Sequence, residues 1–455
     1  MKILARFIGV FTALASLIGG VQASHAQVLT NGTSNAAGYV RVQPINVQAV
    51  TPFTPGTVLV MPPDGVSPFA VGTSANAGAG SSSSSNAAST NAQANGGNIT
   101  GLVTIPTFTG AFAAQAGPSL GNVFPFVIMG NDPLTGGTTN IPTKITEVSL
   151  QLLNADGSIL TTVPFAPFED ATTDSPNFAN AMYNSSGPPT QFADAIQRAE
   201  FFNMMKQNWH TDLQPTIVNR VTITVPRFVN VQLSNGTIIQ ARSYFTGTAS
   251  DGSTFVLMLN LLFNFFYDNA VVNDINANNF TTDAVNVDMF PNTFLFSLNV
   301  NNPNTPGGCC VLGFHTYFFE GGTTPQPRWV SLFASFISPG LFGAGFQDIT
   351  GLSHEISESF NDPFINNIVP TWQFPGQPPS STVCQGNLET GDPVEVLSTA
   401  TIPLTLKEKQ EIFTFHPQNE ALLQWFEMGA TSNAIDGAFS YPNETVLPHS
   451  AVPCP

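Results

Sequence analysis

Gly351-Leu352-Ser353-His354-Glu355-Ile356-Ser357-Glu358-Ser359-Phe360-Asn361-Asp362-Pro363 is the stretch from which the rest of the chain is read outward. Ile349, Leu352, Ile356 and Phe360 recur at intervals of three, four and four, the spacing of a helix with one buried side. Asn361-Asp362-Pro363 stops it, because proline cannot continue the helix and restricts the residue before it. Four residues separate His354 from Glu358, so both lie on one face, one turn apart. Strand-like segments stand on either side, and the expected class is α+β and β-rich.

The polar residues of this helix suggest a chemistry. In H-E-x-x-H helices of zinc peptidases two histidines four apart bind the metal, and the glutamate after the first is the general base. Here His354 and Glu355 fill the first two roles, and Glu358 replaces the second histidine. A carboxylate also ligates zinc, so His354 and Glu358 are candidate ligands and Glu355 the candidate base. The competing reading is a helix that merely exposes polar side chains, since H-E-x-x-E also arises by chance.

Composition narrows the class. Lys2 and Arg6 precede an apolar run from Phe7 to Val21, and Ser24-His25-Ala26 is a small-x-small cleavage signal. Residues 1–26 therefore read as a secretory signal peptide, with Ala23 the alternative cleavage point, and the mature protein as secreted or periplasmic. Twelve Lys+Arg face 29 Asp+Glu, a formal charge of −17, or −19 once Lys2 and Arg6 are removed. That balance disfavours nucleic acid and anionic lipid as partners. The longest later apolar run, Phe255 to Tyr267, is too short for a membrane span and is interrupted by Asn260 and Asn264. Thirty-eight phenylalanines supply a large core.

Taken in order, residues 27–72 form a β-like segment with strand pieces at Tyr39–Gln43 and Thr57–Met61. Residues 73–98 are a Ser/Ala/Asn/Gly linker. Residues 99–190 are β-rich, with a strand at Ile145–Leu153, a turn at Asn154–Gly157 and a return strand at Ser158–Val163. Residues 191–455 form an α+β part carrying the H-E-x-x-E helix. It opens with a helix from Gln191 to about Lys206, followed by His210, which reads as structural. Val229–Leu233 and Thr237–Ala241 join through Ser234-Asn235-Gly236 as a hairpin. Ser253–Tyr267 reads as a buried strand pair or a strand bent at Asn264, Phe290–Val300 as a strand, and Arg328–Ile337 as a strand or a helix start. A short helix is expected over Asn419–Met428.

A zinc site needs a third protein ligand from elsewhere in the chain. Asp392 and Glu389, on the acidic turn after Cys384, are the candidates, with His416 and His449 behind them. His315, between aromatics on an expected strand, is a candidate for lining the cleft. In an exported protein Cys309, Cys310, Cys384 and Cys454 are expected to form disulfides, with Cys309 and Cys310 pairing separately with the other two.

Gly313-Phe-His-Thr-Tyr317, Leu352–Pro363, Trp372 and Glu389-Thr-Gly-Asp392 together resemble a family of bacterial exported proteins. That family carries an S-H-E-[LI]-x-E-x-x-x-D-P segment, a tryptophan and an E-x-G-D turn beside a cysteine. It is distantly similar to the plant phosphate-induced, or Exordium-like, cell-wall proteins, whose corresponding helix lacks the His-Glu pair. The resemblance covers roughly 190–440 and is best from 309 to 395; here Cys384 precedes the E-x-G-D turn instead of following it. It implies His354 and Glu358 as ligands, Glu355 as base and Asp392 or Glu389 completing the site. The function expected is an exported metal-dependent hydrolase, a zinc peptidase acting on a peptide substrate. The alternative is a non-catalytic wall or matrix protein in which the same residues are structural. Carbohydrate binding by exposed aromatics has no motif behind it.

Overall fold

Val285-Asn-Val-Asp-Met-Phe-Pro291 is buried along its whole length, as a strand must be when parallel neighbours flank it and both its faces are covered. It is β3 of the central sheet in a computed structural model. The described residues are 53–54, 56–61, 101–183, 187–320, 323–342, 345–378, 381, 384–408 and 411–454. The expected signal peptide, the strand at Tyr39–Gln43 and the linker 73–98 lie outside them.

On one side β3 pairs in parallel with β1 (Thr138–Leu153), which pairs in parallel with β2 (His210–Val225). On the other side it pairs in parallel with β5 (Gln326–Phe342), and β5 pairs antiparallel with the edge strand β4 (Gly313–Phe319). Residues 99–190 and 191–455 thus both contribute strands to one sheet. The fold is α+β and β-rich, as its patterning indicates.

Alternation sorts the side chains of β4 and β5 between two cores. Trp329, Phe333 and Ile337 of β5, with Phe314 and Phe318 of β4, pack on Phe263, Tyr267 and Val271 of α2 (Asn260–Asn276). Val330, Leu332 and Ala334 of β5 face the opposite way, onto Ile349, Leu352, Ile356 and Phe360 of α3 (Thr350–Asn361) and its lead-in. Those four residues form the apolar stripe read from the sequence, and each is 0–1% exposed. Burying a side chain of this size contributes roughly 1.5–3 kcal/mol. His315, directly opposite Leu332, is therefore turned toward α3.

The start of α3 is held by the Asp348 carboxylate, which accepts the Ile349 N–H at 2.6 Å and the His416 N–H at 2.9 Å. At its end the Asp362 carboxylate accepts the N–H groups of Asn366 and Asn367, and the Asn367 amide donates to Asn361 O. Both ends are thus fixed by side chains, which places the helix rigidly beside β4.

Several expectations are corrected. Ser253–Tyr267 is neither a strand pair nor one bent strand: Thr254–Leu259 is a strand, and α2 begins at Asn260. Phe290–Val300 is two strands in different sheets, Val285–Pro291 and Thr293–Leu298, divided at Asn292, where φ is +42°. The helix expected from Gln191 spans only α1 (Phe192–Glu200) before the chain turns, and that over Asn419–Met428 is one turn, Leu423–Phe426. The disulfides are Cys309–Cys310 and Cys384–Cys454, not two bonds between these pairs. Cys384–Cys454 closes 70 residues and ties the acidic turn to the chain's last strand. Among the described residues no helix is long and apolar enough to cross a membrane.

Glu200, at the end of α1, offers a test of this packing. Its Oε1 accepts the Leu423 N–H at 3.1 Å, its Oε2 has no partner, and burial pushes the carboxyl up to about 8. Between about 4.5 and about 8 the folded chain holds a proton that the unfolded chain has released. Stability therefore falls as pH rises through that window, by about 1.4 kcal/mol per pH unit from this group. Glu200→Gln keeps the acceptor for Leu423 and cannot ionise. In urea unfolding at pH 5 and pH 7.5 it should lose less stability than the wild type; equal losses would contradict the assignment.

Candidate metal centre

Three pieces of backbone bring the ionisable groups together. The helix α3 supplies His354, Glu355 and Glu358, strand β4 supplies His315, and the turn leading into α4 (Asp392–Glu395) supplies Glu389 and Asp392. The turn is tied down by Gln418, whose backbone N–H donates to Ser353 Oγ at 3.0 Å and whose side chain donates to Gly391 O at 2.7 Å. The Gly391 N–H donates to Glu358 Oε1 at 3.0 Å. A Cβ on Gly391 would lie 2.5 Å from His354 Nδ1, and one on Gly313 2.7 Å from the Glu355 side chain. Only glycine lets backbone approach these two side chains so closely.

Glu358 is the centre of the arrangement. Its Oε1 is 3.1 Å from His354 Nε2, and its Oε2 is 3.3 Å from His315 Nδ1. His354 Nε2 is also 3.7 Å from Asp392 Oδ1, and His315 Nδ1 is 3.5 Å from Glu355 Oε2. Glu389 Oε2 faces His315 Nε2 at 3.9 Å. The other oxygen of Asp392 accepts a short hydrogen bond from Gln385. Two sets of possible ligand atoms therefore lie within 4.8 Å of one another, His354/Glu358/Asp392 and His315/Glu355/Glu358. All six residues, counting Glu389, are 2–8% exposed.

His354, Glu355, Glu358, Glu389 and Asp392, with Glu395, border a cleft of about 50 Å³, room for an ion and a few waters, walled also by Val311, Leu312, Phe314 and Phe346. Among the described residues no lysine or arginine lines it. Glu355, Glu358, Glu389 and Asp392 thus meet two histidines away from water, with Glu395 on the same cleft, an arrangement that is costly unless a cation or protons neutralise it. The shifts follow from that. Burial opposes charge on Glu358, yet the His354 and His315 imidazoles hold its carboxyl well below the usual range. Burial likewise opposes charge on both histidines, but Glu358 at His354 and Glu389 at His315 lead the groups that raise them well above the ordinary value. Glu389 and Asp392 are raised, first by burial and then by Glu358.

Compared with protein-family models, curated proteins and solved structures, the chain matches none. Its chemistry must be argued from the geometry. In a tetrahedral zinc site with ligand bonds near 2.0–2.2 Å, neighbouring ligand atoms lie about 3.3–3.6 Å apart. The separations of 3.1 and 3.7 Å around His354 straddle that range. The buried His/Glu/Asp groups can therefore hold a metal ion.

Of the residues singled out in the sequence, His354, Glu355, Glu358, Asp392, Glu389 and His315 come together. Asp392, not Glu389, stands with His354 and Glu358; Glu389 faces His315 instead. His416 is elsewhere, its Nδ1 2.7 Å from Asp348 Oδ2, and His449 is exposed. His210 Nδ1 lies 2.9 Å from Asp194 Oδ2, which also accepts from Thr190, while Asp194 Oδ1 accepts the Thr211 N–H. Sequence reasoning missed Glu420, fully buried on the strand Glu420–Ala421 and close enough to His354 for each to affect the other's ionisation. No local pattern marks it.

Proposed function

We propose that this is an exported zinc-dependent hydrolase acting on peptide bonds, with His354, Glu358 and Asp392 as the metal ligands and Glu355 as general base. The observation that carries the reading is the buried His354/Glu358/Asp392 set, at separations suited to tetrahedral zinc, beside a carboxylate-lined cleft that, among the described residues, has no lysine or arginine. A divalent ion held there would polarise a scissile carbonyl and lower the pKa of its water. Glu355, one residue from His354 and bordering the same cleft, accepts the proton and returns it to the leaving amine. His315, 3.5 Å from Glu355 Oε2, orients that carboxylate. The glycine at position 313 brings strand backbone against Glu355 and so restricts where the carboxylate can go. Peptide is favoured as substrate because β4 lies at the edge of the sheet, where an extended chain adds by strand pairing.

The small volume of the cleft favours a second reading, a structural ion in an exported wall or matrix protein. One experiment separates them. The zinc-loaded mature protein is incubated with an unfolded polypeptide, with and without chelator, and products are read by mass spectrometry. Defined fragments that vanish with chelator and return with zinc are expected. An intact polypeptide beside fully loaded protein would contradict the hydrolase and leave the structural ion.

A further inference from the structure

We infer that the cluster holds a second divalent cation, on His315, Glu355 and Glu358, and that Glu358 bridges it to the first. This rests on the reading of the first site given above. The two oxygens of Glu358 point to different histidines, Oε1 to His354 Nε2 at 3.1 Å and Oε2 to His315 Nδ1 at 3.3 Å. Around His315 Nδ1 the separations to Glu358 and Glu355, 3.3 and 3.5 Å, repeat the ligand-to-ligand spacing found around His354. A carboxylate shared in this way is the usual bridge in sites whose ions lie roughly 3.5–4 Å apart.

Two further observations point to a ligand. Glu389 is 3% exposed and borders the cleft, and its Oε1 has no hydrogen-bond partner; His315 Nε2, also buried, has none either. An unpartnered carboxylate oxygen is expensive to bury, and Glu389 borders the same cleft as Glu355 and Glu358. Charge leads the same way. Glu355, Glu358, Glu389 and Asp392 all approach the two histidines. One dication offsets only part of the negative charge of these carboxylates and of Glu395 on the same cleft, and a second offsets more of it. The second ion also takes Glu355 as a ligand, so the doubly loaded protein hydrolyses its substrate more slowly than the singly loaded one.

The test is equilibrium dialysis of the chelator-treated full chain against zinc, for the wild type and His315→Ala, with circular dichroism to confirm folding. Two zinc ions per wild-type chain and one per His315→Ala chain are expected. One ion in both would overturn the second site while leaving the first. Two in both would overturn its assignment to His315, and none in the wild type would overturn both readings. Should His315→Ala not fold, wild-type protein loaded with manganese decides: an exchange-coupled pair in its electron paramagnetic resonance spectrum is expected, and isolated ions only would refute the bridge.

Discussion

Glu355→Gln should keep the ion on His354, Glu358 and Asp392 and lose peptide hydrolysis by about 10²–10⁴-fold. The substitution preserves size and leaves each of those ligands in place. Glutamine still accepts a hydrogen bond from His315, so the local packing 3.5 Å away survives. What it cannot do is take a proton. Burial raises the Glu355 carboxyl above the ordinary carboxylate value, toward a group that can take up a proton. Metal content and turnover of a cleaved peptide are measured on the same preparation. Undiminished turnover with the metal retained would remove Glu355 from the mechanism.

Removing the ion should lower thermal stability by several degrees. A ligand at a thousandfold excess over its dissociation constant stabilises the folded state by about 4 kcal/mol, and chelation withdraws that stabilisation. The loss should depend on pH in a fixed sense. Without metal the raised His354 and His315 stabilise the fold while protonated, fully below the ordinary histidine value and less as pH rises through their higher folded values. Metal binding, by contrast, requires them neutral and weakens with acid. The gap in melting temperature between loaded and chelated protein should therefore be wide at pH 8 and narrow toward pH 5.5. Identical melting curves at pH 8 would mean that protons alone neutralise the cluster.

Part of this architecture is written locally. The stripe Ile349, Leu352, Ile356, Phe360 and the stop at Asn361-Asp362-Pro363 fix α3, and helical spacing alone puts His354 beside Glu358. The hairpin through Asn235-Gly236 is likewise a local matter of turn residues. Helix α2 is not legible in this way. Asn260-Leu-Leu-Phe-Asn-Phe-Phe-Tyr267 is apolar nearly all round, because Phe263 and Tyr267 face the sheet while Phe265 and Phe266 pack on Phe53. Such a segment has no polar face to display a period, and its phenylalanines favour strands. The site divides similarly. The residues on α3 were readable; the choice of Asp392 over Glu389 was not, because it depends on how Gln418 and Gly391 set the turn against the helix. The Cys309–Cys310 bond was missed because neighbouring cysteines seldom pair.

The central claim is that this cluster binds metal through His354. Elemental analysis of the purified protein, wild type beside His354→Ala, tests it most directly. At least one zinc per wild-type chain, with the ion of the Glu358/Asp392 site lost in the variant, is the expected result. No metal in the wild type, and a melting temperature that added zinc does not move, would contradict the account.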